Sequence, residues 1–269
     1  MTAFTNHFLF EFKTGLRNSG AMMMYYLLPL GFYAVMGLVM VQINPGYIAL
    51  LLPSMVVFTI MSATILGLPT GLVEARDAGI YRSYKINGIP AISILTIPAI
   101  STTTHVLIAS TIIALTATPL FGAIPPENWL AFLLITLLAA FTFATLGMLI
   151  GVVSSNSRTV VLWSQLIYLP SILLGGMMIP TEMLPDAVQR FSGLLPSTYV
   201  MQAFFGLAYN QETVIEPLIS VLVLLASGIL ALTLSVYLFN WDSQNQTRRV
   251  SPLLALLILV PYIIAILVS

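Results

Sequence analysis

Apolar and polar positions along this chain alternate on the scale of whole segments. Long apolar stretches at 21–43, 47–73, 92–120, 129–153, 159–179, 217–239 and 252–269 are separated by short polar links. Each is close to the roughly 20 residues a helix needs to cross a bilayer. Lipid cannot satisfy free backbone groups, so each stretch is predicted to be a helix. Short alternating segments, the mark of a membrane barrel, are missing. The first six stretches make the core of the prediction, and 252–269 adds a seventh span.

Ahead of the spans, Phe4, Phe8, Phe12 and Leu16 recur every four residues, while Asn6, Lys13 and Arg17 lie off that stripe. Residues 1–20 are therefore predicted as a helix lying in the membrane interface, broken by Asn18-Ser19-Gly20. Between the fifth and sixth spans, residues 180–216 contain Pro180, Pro185 and Pro196, each a helix start or break. The apolar run 197–209 is too short to cross, so a pair of short external helices is predicted there, re-entrant or interfacial. The links 44–46 and 122–128 read as tight turns. Pro69, Pro98 and Pro170 predict kinks. Gly67-x-x-x-Gly71 and Gly147-x-x-x-Gly151 predict close helix approach. Met177, Met178, Phe204 and Phe205 read as an apolar outer rim. There is no internal repeat and no low-complexity tract.

Composition agrees with the pattern. Hydrophobic residues are 59% of the chain and charged residues 7%, far below the roughly 25% of a soluble domain. The chain is thus an all-α polytopic membrane protein. Its zero net charge gives no field for nucleic acid. The absence of cysteine excludes a disulfide framework or a thiolate metal site. The N-terminus lacks the features of a cleaved signal, so the first span is expected to be retained. Lys13, Arg17, Arg76, Arg82, Lys85, Arg158, Arg248 and Arg249 fall on one side of the alternating spans, and Arg190 falls on the other. Positive residues mark the cytoplasmic side. The N-terminus is therefore expected inside, and the C-terminus outside.

Chemistry is sparse. No P-loop or H-E-x-x-H motif is present, and the histidines are His7 and His105 alone. The chain is not expected to be an enzyme, and neither a cofactor nor a metal is expected on it. The polar groups inside spans are Ser101, Thr104 and His105 in the third and Ser164 and Gln165 in the fifth; these are the candidates to line a pathway. A helix-packing hydrogen bond is the blander role for His105. A proton relay is the sharper one. The chain reads as a conduit whose energy must come from a partner. Its extended cytoplasmic surface is the run from Glu74 to Lys85, closed by Ile86-Asn87-Gly88-Ile89-Pro90.

With these residues in order, the chain resembles the ABC-2 type permeases, membrane subunits of ATP-driven exporters, over residues 1 to about 245. The family's first cytoplasmic loop carries a Glu, a following Gly and a closing Pro, matched here by Glu74, Gly79 and Pro90. A second motif, glycines at the end of the fifth span and prolines beyond, is matched by Gly175, Gly176, Pro180, Pro185 and Pro196. The resemblance implies an interfacial helix at 1–20 and a six-span permease domain at 21–240. Within that domain lie a coupling loop at 74–90 and external helices at 180–216. Residues 241–269, a turn plus a seventh span, depart from the family pattern. The resemblance further implies two ABC ATPase subunits carrying ATP and magnesium, a second permease subunit (the same or a different chain), and a multi-pass place in the plasma membrane. In the coupling loop, Glu74 would anchor the loop, and Arg76, Arg82 and Lys85 would orient docking. Ile80, Tyr81 and Ile86 would supply apolar contact. The cargo expected is small, amphiphilic, drug-like or lipid-like. A receptor or assembly scaffold, or an ion-coupled carrier using His105, is the alternative reading.

Overall fold

The structure is a computed structural model and describes residues 2–241 and 251–268. It is helical throughout, with no strand among the described residues. The amphipathic helix α1 (Thr2–Arg17) leads into α2 (Ser19–Ile43), and a turn at Asn44 leads into α3 (Pro45–Asp77). The short helix α4 (Ile80–Ile86) precedes α5 (Ala91–Phe121) and α6 (Trp129–Val153). Then come α7 (Ser157–Leu174), α8 (Asp186–Ser192), α9 (Pro196–Ala203), α10 (Pro217–Leu238) and α11 (Pro252–Leu267). Among the described residues, α2, α3, α5, α6 and α10 are long and apolar enough to cross a membrane.

The predicted fifth span is shorter than its apolar stretch. Helix α7 starts at an Asn156 capping box and stops at Leu174, because Gly175 and Gly176 turn the chain. At about 1.5 Å per residue its 18 residues still reach about 27 Å.

The core is organised around α3, which is buried along most of its length and packs against α2, α5, α6, α7 and α9. Its 33 residues extend about 50 Å, longer than a hydrocarbon core of about 30 Å. Its last turns therefore carry Glu74, Arg76 and Asp77 beyond the apolar zone. Two prolines are accommodated by widening the helix. A π turn at Met23–Leu27 precedes Pro29, and another at Ser62–Gly67 precedes Pro69. The wider turn relieves the clash between the proline ring and the preceding carbonyl.

The two glycine motifs behave differently. A Cβ at Gly147 would run into the Thr64 backbone carbonyl, and one at Gly151 would lie 3.2 Å from the Pro69 Cα. This pair brings α6 onto the backbone of α3 as expected. At Gly67 a Cβ would meet only ordinary contacts, and at Gly71 nothing within 4 Å. That pair makes no close approach within the chain.

The segment 180–216 is buried more deeply than expected. Every residue of α9 is buried, and Met177, Phe204 and Phe205 belong to the core. The outer-rim reading of these side chains is therefore wrong; only Met178 is partly exposed. Helix α9 packs among α3, α6, α7 and α10.

Candidate functional site: the coupling loop and its supports

The loop at 74–90 is a helix–turn–helix–turn set by two glycines. Helix α3 ends as the Ala78 amide donates to the Glu74 carbonyl at 2.9 Å. Gly79 then takes φ +76°, and Gly88 takes φ +72° at the far end of α4. Both are left-handed positions that other residues occupy at a cost, so the sequence permits the chain to reverse twice here. Asn87 closes α4 through a side-chain bond to the Ser83 carbonyl at 2.8 Å. Pro90, extended at ψ 145°, starts α5.

The side chains of this loop divide into two sets. Arg76 and Tyr81 point inward, against the docking roles expected from sequence. The buried Arg76 guanidinium donates to the Ser154 carbonyl at 2.8 Å, in the turn between α6 and α7, and lies 3.7 Å from Asp77. Tyr81 is buried against Phe239 with ring centroids 5.6 Å apart. Burial, followed by the nearby Glu11 charge, pushes its phenol well above the usual range. Phe239 in turn packs on Trp241, and the Lys85 ammonium lies 5.9 Å from the Trp241 ring centre, a cation–π distance. Arg76 ties the end of α3 to the α6–α7 turn, and Tyr81, with the exposed Lys85 over Trp241, ties α4 to the end of α10. The outward set is Glu74, Ile80, Arg82 and Ile86, all exposed. Ile86 is 81% exposed, among the most exposed large apolar side chains described.

A second support comes from α1, which packs along α5. The half-buried face of α1 is His7, Phe8, Glu11, Phe12 and Gly15. Only Phe8 and Phe12 of the expected stripe lie on it; Phe4 and Leu16 are exposed together with Leu9 and Phe10. His7 meets Tyr84 of α4 edge-on at 5.5 Å and approaches Glu11 at 3.6 Å. Burial raises the Glu11 carboxyl above its ordinary value, and His7 offsets this in part.

This shift gives a stability prediction with a definite sign. An acid whose folded value is raised contributes stability that is present below its unfolded value of 4.5 and lost as pH rises through the folded value. The groups facing it are His7, Tyr25, Tyr81 and Tyr84. Glu11→Gln should therefore raise the thermal midpoint at neutral pH and flatten its dependence on pH above 4.5. Thermal unfolding in detergent at mildly acid and neutral pH checks this.

His105 takes the packing role. Its ring is fully buried, stacked on Phe12 at 4.1 Å and on Tyr25 at 4.9 Å. The Tyr26 hydroxyl lies 2.8 Å from Nδ1, and the Phe12 carbonyl lies 3.3 Å from Nε2. Nε2 donates to that carbonyl, and Nδ1 shares a hydrogen bond with the Tyr26 hydroxyl. His105 thus joins α1, α2 and α5. The remaining polar candidates are not gathered around one path. Ser101 is buried, and Thr104 bonds the Ile100 carbonyl, both on α5. Ser164, buried, and Gln165, half-buried, lie on α7. Helix α5 packs against α1, α2, α3, α6 and α10, whereas α7 packs against α3, α6, α8 and α9.

The glycine–proline motif does come together. Gly175 packs on Ser197 of α9, so that a Cβ there would run into the Ser197 hydroxyl. Gly176 takes φ +82°. The freed Met177 carbonyl accepts from the Ser54 hydroxyl at 2.8 Å, pinning the reversal to α3. Pro180 and Pro185 precede the short turn Thr181–Met183 and α8, and Pro196 opens α9. Sequence reading missed Gln202, whose amide joins Thr181 at 2.7 Å and accepts from the Val214 amide at 2.9 Å. The available signal was a glutamine within the largely apolar run 197–209. The tail residues Arg248 and Arg249 lie outside the described residues.

The model of the ABC-2 family transporter proteins matches residues 42–237. The chain is 27% identical over 237 residues to the protein named "Putative transport permease YvfS" of Bacillus subtilis (strain 168), an alignment covering 85% of this chain and 93% of the relative. No solved structure matches. A helical multi-pass membrane architecture and a family match across most of its length together place the chain in the ABC-2 family of transporter proteins.

Proposed function

We propose that this chain is the membrane-spanning permease subunit of an ATP-driven exporter in the plasma membrane, with its N-terminus cytoplasmic. The observation that carries this reading is the split character of the 74–90 loop. Arg76, Tyr81 and Lys85 bind it to the permease, and Glu74, Ile80 and Ile86 are left on its outer surface. Such a loop can dock a soluble motor on one face and pass its motion to α10 and the α6–α7 turn through the other. Two ABC ATPase subunits, holding ATP and magnesium, would bind beneath a pair of permease chains. The residues of this chain supply docking and the pathway, and the chain itself performs no hydrolysis.

A small amphiphilic cargo is supported by α7. It exposes Leu162, Leu166, Leu169 and Leu173 beside the half-buried Gln165. Two such helices facing one another would offer an apolar wall with a few polar groups. Use of His105 in packing weighs against an ion-coupled carrier.

The test is co-purification of the tagged chain in mild detergent with mass spectrometry. A stoichiometric P-loop ATPase is expected, and Glu74→Ala should leave a folded permease that no longer couples ATP hydrolysis to transport. Absence of an ATPase from intact protein would move the reading to a receptor or scaffold. Normal coupled transport by Glu74→Ala would remove the role given to that residue.

A further inference from the structure

Helix α11 lies beyond the residues that match the family model. Its side chains are mostly exposed, with Tyr262 and Ala265 buried. Pro252–Leu259 is wound as a 3₁₀ helix and Val260–Val268 as an α-helix. At about 2.0 and 1.5 Å per residue these reach about 30 Å together, the thickness of a hydrocarbon core. A helix this short could be an ornament held only by lipid. Its two inward contacts argue otherwise.

Both contacts fall on the corner between α8 and α9. Tyr262 packs on Tyr199 with ring centroids 5.6 Å apart at 49°. Ile266 lies on Gly193 so closely that a Cβ there would be 2.9 Å from the Ile266 Cγ1. The corner is itself tied together. The Tyr199 hydroxyl donates to the Gly193 carbonyl at 2.8 Å, Thr198 donates to the Ser192 carbonyl at 2.7 Å, and Ser192 donates to the Gln189 carbonyl at 2.7 Å. The corner is therefore a preformed unit, gripped at two points by a helix that also packs along α10.

We propose that α11 is a strap that holds the α8–α9 corner against α10, with Tyr262 and Ile266 as its positioning residues. Its consequence for transport rests on the permease reading: α8 and α9 lie at the outer end of the pathway, so the strap sets how far that end opens. The contact itself can be tested without that reading.

The chain has no cysteine, so one introduced cysteine reports alone. Ser192, buried in the corner, is changed to cysteine, and labelling by a soluble maleimide is followed on the full chain in lipid nanodiscs. Labelling should be slow with the strap intact. It should be about tenfold faster or more after Tyr262→Ala, as local opening of the corner requires, and faster to a smaller degree after Ile266→Ala. Tyr262→Phe should stay slow, because the ring makes the contact with Tyr199 and phenylalanine keeps the ring. If Tyr262→Ala unfolds the protein on a thermal melt, Ile266→Ala carries the test. Unchanged slow labelling in folded Tyr262→Ala and Ile266→Ala proteins overturns the strap, and so does fast labelling with the strap intact or in Tyr262→Phe. None of these readings needs an ATPase or a substrate, so failure of the permease reading is scored separately by co-purification.

Discussion

Ile86→Asp should release the ATPase from this permease while leaving the permease folded. Ile86 is 81% exposed at the C-terminal end of α4, so the substitution strains nothing in the isolated chain. In the proposed complex it would place a charge on the apolar part of the docking face. Loss of an anchoring side chain at such a site costs about 2–4 kcal/mol, and a desolvated, unpaired carboxylate adds to that. The result is an affinity loss of about 30-fold to 1,000-fold, read as disappearance of the ATPase from the co-purified complex. Arg76→Ala is the contrasting variant. Its guanidinium faces the Ser154 carbonyl, away from the docking surface, so the ATPase should remain bound. Transport should nevertheless fall, because the loop loses its grip on the α6–α7 turn. An ATPase that survives Ile86→Asp, or that leaves with Arg76→Ala, would show that the loop docks by another face.

Sequence reading and structure diverge in an instructive way along this loop. Its position, its glycine turns and its closing proline were all legible, because Gly79, Gly88 and Pro90 act through backbone conformation, which is local. The direction of each side chain was not. Arg76 belongs to the same polar run as Glu74 and Arg82, and charge assigns all three to a partner, while Tyr81 reads as apolar contact for that partner. The burial of Arg76 and Tyr81 depends on Ser154 and Phe239, which are distant in sequence and carry no motif. The same limit explains His105. A histidine inside a span leaves both packing and proton relay open, and only the structure shows Phe12 and Tyr25 stacked on its two faces. It explains Met177, Phe204 and Phe205 as well. An external loop rich in proline reads as surface, whereas Gln202 and the Met177 carbonyl find partners that let this one fold inward. The helical architecture followed from the apolar segments because bilayer thickness imposes their length. The end of α7 did not, since Gly175 and Gly176 stop the helix inside an uninterrupted apolar run.

The second large effect is expected at Gly147. Gly147→Ala adds one methyl group, and that methyl would meet the Thr64 carbonyl, a backbone atom of the central helix α3. A flexible side chain could move aside; a carbonyl within a packed span moves only with its helix. The π turn at Ser62–Gly67 presents this carbonyl to α6, where the glycine Cα can approach it closely. Overpacking a tight core costs about 1–3 kcal/mol and more where backbone must shift, so a loss of about 3 kcal/mol and a clear drop in thermal midpoint in detergent are expected. Gly71→Ala supplies the control. It alters the same kind of motif, but its Cβ would meet nothing within 4 Å, and alanine is favoured over glycine in a helix by up to about 1 kcal/mol. Its midpoint should hold or rise. The consequence for transport follows from where α3 ends. The helix that Gly147 seats is the one that carries Glu74 and Arg76, so a displaced α3 would shift the coupling loop against Ser154. Gly147→Ala protein that still folds should therefore bind the ATPase and transport poorly. Equal midpoints for Gly147→Ala and the unaltered chain would mean that α3 and α6 are not held in contact at Thr64.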